Sequence, residues 1–300
     1  MKRIVSVSLG SSKRDKSSTA TTLLGEQFCL ERIGVDGDLD KFAAMFKELD
    51  GEVDAFGIGG ADLYLWLGDR RYTFRQIKSL VSGAVKTPVV DGSGLKNTLE
   101  PRLIARLNDD GVVDFKSSRC LLTGAVDRFG MAQALANVCP RVVYGDLMFS
   151  LGLPIRLTSY RTVEIVGRIL LPIVTRLPFK WFYPTGEKQD KRTPKFAGAF
   201  DEADVICGDW HFIKRYCPDR MDGKTIITNT IRKNDLEFLR GAGIKKAIAS
   251  TPTVDGESFG TNVMEAALVA ILGKKPEELT KADYERAVDR LGWEPSTFEL

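Results

Sequence analysis

The sequence predicts an α/β protein, with an N-terminal α/β domain followed by a Rossmann-like, doubly wound parallel sheet. Three observations predict it. First, short apolar runs alternate with segments of helical period, the order that builds parallel sheets through crossover helices. Second, the apolar run in Leu121-Leu-Thr-Gly-Ala-Val-Asp-Arg-Phe-Gly-Met-Ala132 stops at Thr123-Gly124 and resumes as a small-residue helix after Gly130. A second run, Val142-Val-Tyr-Gly, then ends at Asp146. Third, the runs at 203–209, 224–230 and 245–250 each end in polar or glycine residues, as strand ends at the rim of a ligand cleft do.

Three hundred residues suit two domains sharing a cleft. The division expected is an α/β substrate domain over 1–108 and a Rossmann-like domain over 109–300, with an apolar insertion at about 147–195 and part of the C-terminal helices returning to the first domain. A net charge of +3 with no basic, aromatic-interleaved stretch argues against nucleic acid and fits an anionic small-molecule substrate. Five scattered cysteines, no CxxC and a single histidine argue against a zinc site or a disulfide framework, so no metal is expected. That cysteine usage, with an N-terminus lacking a signal peptide's apolar core, predicts a cytoplasmic protein.

In the first half, Ile4–Ser8 reads as a strand running into the basic turn 9–16. Thr21–Ile33 reads as two strands around Gly25, and Asp38–Leu49 as a helix capped by Asp38. Val53–Gly60 is a buried strand ending in Gly57-Ile-Gly-Gly-Ala-Asp62. A hairpin (63–73), a helix (Phe74–Ala84) and the short strand Thr87–Val90 follow. Lys13, Arg70 and Arg71 are candidates to meet a substrate carboxylate.

Asp91-Gly-Ser-Gly-Leu-Lys-Asn-Thr-Leu-Glu100 gathers carboxylate, amine, amide and hydroxyl groups just past a strand end. It reads as a loop before a helix running to about Leu107. An amine beside a carboxylate there can move a proton to or from a hydroxyl when burial tunes the pair toward neutrality. Lys96, assisted by Asp91 or Glu100, is therefore the catalytic candidate. A plain Asp-Gly turn with a capping Asn97 or Thr98 is the competing reading.

In the second half, the turn after Thr123 presents backbone N–H groups and a helix N-terminus to a phosphate, and Asp146 is placed to bind ribose hydroxyls. Thr123, Gly124, Ala125, Arg128, Phe129 and Gly130 form the expected dinucleotide loop, with Gly208, Thr228 and Asn229 further along the rim. The spacing departs from GxGxxG. Arg128 stands at the middle glycine, so either the turn differs or the side chain points outward. His211, just past the fourth strand, is a candidate general acid or an ordinary surface or capping residue. Leu147–Lys180 is longer and more apolar than a crossover requires. Arg161–Arg176 has helical period, with Pro172 expected to kink or end it. Interrupting charges argue against a membrane span and favour a buried cross-domain or homodimer helix over one lying on lipid. The stretch Phe179–Arg192 reads as a lid. Helices Thr261–Leu272 and Lys281–Leu291 close the chain, the latter stopping at Gly292.

This order of parts resembles the shikimate and quinate dehydrogenase family. Asn97-Thr98 resembles the start of that family's Asn-Thr-Asp motif, and Gly260-Thr-Asn-Val-Met-Glu-Ala-Ala267 resembles its Gly-Met-Leu-Val-x-Gln-Ala-Ala helix. The motifs match in part: the family's catalytic Asp falls on Leu99, its substrate-binding Gln on Glu265, and its Asn-Val-Thr-x-Pro-x-Lys motif is absent. The resemblance implies an NAD- or NADP-dependent oxidoreductase acting on a quinate- or shikimate-like cyclic hydroxy acid, with Asn97, Thr98, Gly260 and Glu265 binding substrate. Asp146 favours NAD over NADP, because a carboxylate repels the extra phosphate. A non-redox nucleotide- or metabolite-binding protein, or a peripheral membrane or lipid-handling protein using 147–180, are the alternatives.

Overall fold

The computed structural model describes residues 1–68, 70–181, 191–251, 253–254, 257–258 and 260–300. Strand β1 (Lys2–Ser8) is followed by the hairpin of β2 (Lys16–Leu23) and β3 (Glu26–Gly34), turned at Gly25 with φ +82°. Strand β3 pairs parallel with β1. Helix α1 (Leu39–Glu48) then crosses over to β4 (Ala55–Gly59), parallel on the other side of β1. Asp38 caps α1 by accepting from Asp40 N and Lys41 N at 3.0 and 2.9 Å. The hairpin β5 (Tyr64–Leu67) and β6 (Arg70–Thr73), helix α2 (Arg75–Leu80) and β7 (Val89–Val90) follow, giving the sheet order β2-β3-β1-β4-β7. Alternation along β1 buries both faces. Val5 and Val7 join Phe42, Phe46 and Ile77, whereas Ile4 joins Leu95, Leu99 and Val263.

The stretch expected as a loop is helical: α3 covers Ser93–Asp109. Gly92, at φ +91°, turns the chain into the helix, and a Cβ there would lie 2.8 Å from Asn262 N. Leu95, Leu99 and Leu103 recur at a spacing of four and bury one face, so packing overrides the turn-forming residues.

The second sheet runs through β8 (Cys120–Leu122), α4 (Phe129–Val138) and β9 (Val142–Tyr144). It continues after the insertion with α6, β10 (Val205–Gly208), α7 (Trp210–Tyr216), β11 (Thr225–Thr228), α8 (Lys233–Gly241) and β12 (Lys246–Ala249), where α6 is Ala197–Glu202. The insertion, a π-helical turn over Asp146–Ser150 and helix α5 (Tyr160–Val174), stands where a crossover helix and third strand would be. Strands β13 (Thr253–Val254) and β14 (Glu257–Ser258) pair with each other. Helices α9 (Thr261–Leu272) and α10 (Lys281–Leu291) lead to β15 (Ser296–Glu299), a strand the sequence reading did not anticipate. It closes the order β15-β12-β11-β10-β8-β9, antiparallel to β12. The architecture is thus α/β, with one mostly parallel sheet in each half. Helix α9 packs on β1 and β4 of the first sheet, so the chain's end is shared between the halves.

Helix α5 buries Val163, Gly167 and Leu171 and leaves Ile165, Ile169 and Ile173 51 to 62% exposed on its other side. Pro172 lies in its last turn, close to where the sequence places an end. Among the described residues no helix is long and apolar enough to cross a membrane. Of the expected lid, Phe179–Trp181 forms one 3-10 turn, and residues 182–190 lie outside the described residues.

Candidate functional site: an interdomain cleft

Each sheet has a point where the winding reverses: the chain leaves β1 toward β3 on one side and reaches β4 on the other, and likewise β9 and β10 flank β8. Ligands of open α/β sheets collect outside the carboxyl ends of strands at such points. Here the two points face one cavity of about 330 Å³, lined by Ser8, Gly59 and Gly60 from the first sheet and by Thr123, Gly124 and Asp209 from the second. Gly260 and Asn262, at the start of α9, close it from the side, and Asn262 Nδ2 donates to Ser6 Oγ at 2.6 Å.

Lys96 projects from α3 into this cleft, with Nζ 3.2 Å from Asp62 Oδ1. Burial by itself disfavours the ammonium, but Asp62 and Asp127 outweigh it and hold the pKa above the ordinary lysine value. The pair expected from sequence, a neutral amine beside Asp91, is therefore corrected on both counts. Lys96 is a held cation, and Asp91 spends its carboxylate on backbone, accepting from Leu63 N at 2.8 Å, Tyr64 N at 2.7 Å and Ser93 N at 3.0 Å. Burial, reinforced by Asp62, still raises the Asp91 pKa.

Arg128 points inward rather than to solvent or to a phosphate. Its guanidinium is 1% exposed, pairs with Glu100 of α3, and donates from Nη2 to Asp209 Oδ2 at 2.9 Å. With φ −138° it needs no glycine-only conformation, which is how the loop accommodates it. Burial raises the Glu100 carboxyl to about 7 despite Arg128, and among the described residues Glu100 Oε2 has no hydrogen-bond partner. Glu100 is thus occupied with Arg128 and does not line the cleft, so it does not stand in as a proton carrier for substrate. Asp209 also accepts from Asn229 Nδ2 at 3.0 Å and caps α7 through His211 N at 2.8 Å.

Asp146 lies beyond the end of β9 and lines the cleft. Its Oδ1 accepts from Ala125 N at 2.8 Å and Val126 N at 3.0 Å, two of the loop amides expected to face a phosphate. Its Oδ2 is buried, with no hydrogen-bond partner among the described residues. Burial raises this carboxyl to about 6. Arg14 Nη1 and His211 Nε2, which both line the cleft, approach to 3.4 Å from the two halves.

The remaining expected site residues divide. Thr123, Gly124, Asn229 and Gly260 line the cleft. Asn97 instead accepts from Gly130 N at 3.2 Å, and Thr98 Oγ1 bonds Gly94 O within α3. Gly130 serves the α3–α4 contact, since a Cβ would lie 2.8 Å from Pro101 Cγ. Phe129 packs against Tyr160, their ring centroids 5.1 Å apart. Gly208, at φ +137°, makes room for Thr123, whose Oγ1 a Cβ would overlap. Thr228 Oγ1 bonds Asn229 Oδ1 at 3.0 Å. Glu265 is buried under Tyr284, which donates to it at 2.6 Å, and does not reach the cleft. Arg70 and Arg71 lie over the rings of Tyr72 and Tyr64 on the outer hairpin, and Lys13 does not line the cleft either. Among the described residues the cleft is lined by Arg14, Arg32, Arg215 and Arg232 besides Lys96, and by the carboxylates of Asp62, Asp91, Asp127, Asp146, Asp209 and Asp235. Sequence reasoning did not single out Asp62, Asp127, Asp209 or these arginines. Asp62 and Asp209 carry a signal that finds them: each is a carboxylate at most three residues past a strand end.

The profile of the family described as "Domain of unknown function (DUF8754)" matches residues 94–300, and the chain belongs to this family. A second, "Domain of unknown function (DUF8753)", matches residues 3–91. A comparison with curated proteins returned no match. Among solved structures, the chain is similar to an NAD-dependent malic enzyme from Thermotoga maritima, 12% identical over 98% of this chain and 85% of that one, with TM-score 0.36. It is also similar to a galactofuranose binding protein, 11% identical over 97% and 99%, with TM-score 0.36. An ABC transporter solute binding protein from Agrobacterium vitis with bound allitol is 14% identical over 91% and 90%, with TM-score 0.37. At these scores the likenesses carry no argument about chemistry.

Proposed function

We propose that the chain is an NAD(P)-dependent oxidoreductase that interconverts a secondary alcohol and a ketone on an anionic substrate. The observation that carries this reading is Asp146, which lines the cleft beside the β8 loop at the switch point. Asp146 follows the second strand of this half and lines the cleft, the position at which a doubly wound sheet sets a carboxylate beside a ribose hydroxyl. Bound there, the nicotinamide would supply the hydride. Lys96 would donate a proton from Nζ to the carbonyl oxygen during reduction and recover it during oxidation, with Asp62 stabilising the ammonium. Quinate- and shikimate-like acids, which the resemblance implies, are the first substrates to try.

A second reading, binding of a polyhydroxy anion without redox chemistry, is favoured by one observation. The amides of Ala125 and Val126 that would hold a pyrophosphate already serve Asp146. Absorbance at the reduced-nicotinamide band, with NAD or NADP and a panel of hydroxy acids, separates the two. Turnover supports the first reading, whereas heats of binding for the acids in a protein that takes neither dinucleotide support the second.

A further inference from the structure

We infer that the outer face of α5 docks on an anionic phospholipid surface, with the helix lying in the plane of the headgroups. This goes beyond the reaction proposed for the cleft and does not depend on it. Seven of the ten exposed large hydrophobic side chains among the described residues fall within 151–181, and three of them, Ile165, Ile169 and Ile173, stand along the outer side of α5. With Arg161 they recur at steps of four and so form one stripe along the helix. Exposed Arg168 lies beside Ile165 and Ile169, and exposed Arg176 follows just past the helix end. At that end the exposed Arg75 adds a further cation, its N donating to Thr175 O at 3.0 Å. Glu164 is the single carboxylate of α5, and it is half-buried. The interrupting charges that favour a covered helix on sequence alone thus edge an open face. An aliphatic stripe edged by arginines suits the boundary between headgroups and acyl chains. The isoleucines enter it, and the long arginine stems let the guanidiniums reach phosphates. Trp181, 70% exposed after the helix, is a side chain that favours headgroup level. At 15 residues α5 is too short to span the hydrocarbon core. A second copy seated on this face by two-fold symmetry would set arginines against arginines, with only Glu164 of each helix to neutralise them. The inner side of α5, Val166, Leu170 and Val174, lines the cleft, so docking sets one wall of the cleft beside the membrane.

The test is co-sedimentation of the full chain with vesicles of phosphatidylcholine alone and of phosphatidylcholine mixed with phosphatidylglycerol. Partition onto the mixed vesicles should exceed that onto the neutral ones by about tenfold or more, and it should fall as salt is raised. Ile165→Ser combined with Ile169→Ser should lower it by about tenfold or more, since two exposed side chains lose their burial in the interface. Arg168→Gln should cost about fivefold on the mixed vesicles and little on the neutral ones. Val85→Ser, at an apolar side chain 84% exposed elsewhere on the surface, should change neither. All four substituted side chains are exposed, so the variants keep the fold, which circular dichroism checks. No binding to either vesicle, equal binding to both, or as large a loss in Val85→Ser as in the isoleucine variant would overturn the inference. So would a dimer, seen by analytical ultracentrifugation in the parent chain and lost in the isoleucine variant, without vesicle binding, since that result assigns the face to a second copy.

Discussion

Arg128 and Glu100 form a buried ion pair that joins the loop after β8 to the middle of α3, both side chains being 1% exposed. The pair connects the helix that carries Lys96 to the strand ends of the second half, and Asp209 extends it to β10. The geometry of the cleft therefore depends on a contact between side chains 28 residues apart in sequence.

Removing one partner leaves the other charge buried and uncompensated. Arg128→Met should destabilise the fold by about 3–5 kcal/mol, and Arg128→Met combined with Glu100→Leu should recover part of that loss, since Asp209 still lacks the guanidinium. Urea unfolding of the three proteins checks it. A single-variant loss under about 1 kcal/mol would show that the pair does not hold the halves together.

Glu265 gives a pH dependence with a defined sign. Burial raises its carboxyl to about 8, above the ordinary value of 4.5. The folded state therefore holds a proton that the unfolded state releases, and the stability this contributes is fully present below about pH 4.5 and lost as pH rises to about 8. Glu265→Gln keeps an acceptor for Tyr284 and removes the titration. Relative to the parent protein it should gain on the order of a few kcal/mol between pH 5 and pH 8.5. Parallel unfolding curves at the two pH values would contradict this.

Lys96 is predicted to act as a cation. Lys96→Met should lower kcat by at least about a hundredfold, the low end of what a positioned proton donor contributes, while dinucleotide affinity stays within a few-fold. Steady-state kinetics on whichever hydroxy acid turns over, with calorimetry for the dinucleotide, checks the split. An unchanged kcat would remove Lys96 from the chemistry.

Much of the fold is legible in the sequence because it is set by local pattern. The apolar runs of β1, β4, β8, β10, β11 and β12, the Asp38 cap and the hairpin at Gly25 each follow from spacing and from a residue suited to its conformation. The site is less legible. The Asp91–Glu100 stretch has the composition of a turn, and it is helical from Ser93 because Leu95 and Leu99 find one core and Leu103 another, both supplied only by the tertiary fold. Arg128 reads as an intruder in a glycine loop until Glu100 and Asp209 come beside it. The Arg14–His211 approach joins residues 197 apart, a contact no local pattern encodes. Gly130 and Gly208 read as cofactor glycines, yet each is required by a close neighbour, Pro101 in one case and Thr123 in the other.

The central claim is that Asp146, past the end of β9, recognises a ribose. Calorimetric titration of NAD and NADP into the parent protein and Asp146→Ala tests it most directly. The account predicts that NAD binds more tightly than NADP to the parent, and that the variant loses about tenfold or more in NAD affinity with a smaller loss for NADP, in line with one or two lost charge-assisted hydrogen bonds. Absence of NAD binding at millimolar concentration, or equal losses for both dinucleotides, would contradict it.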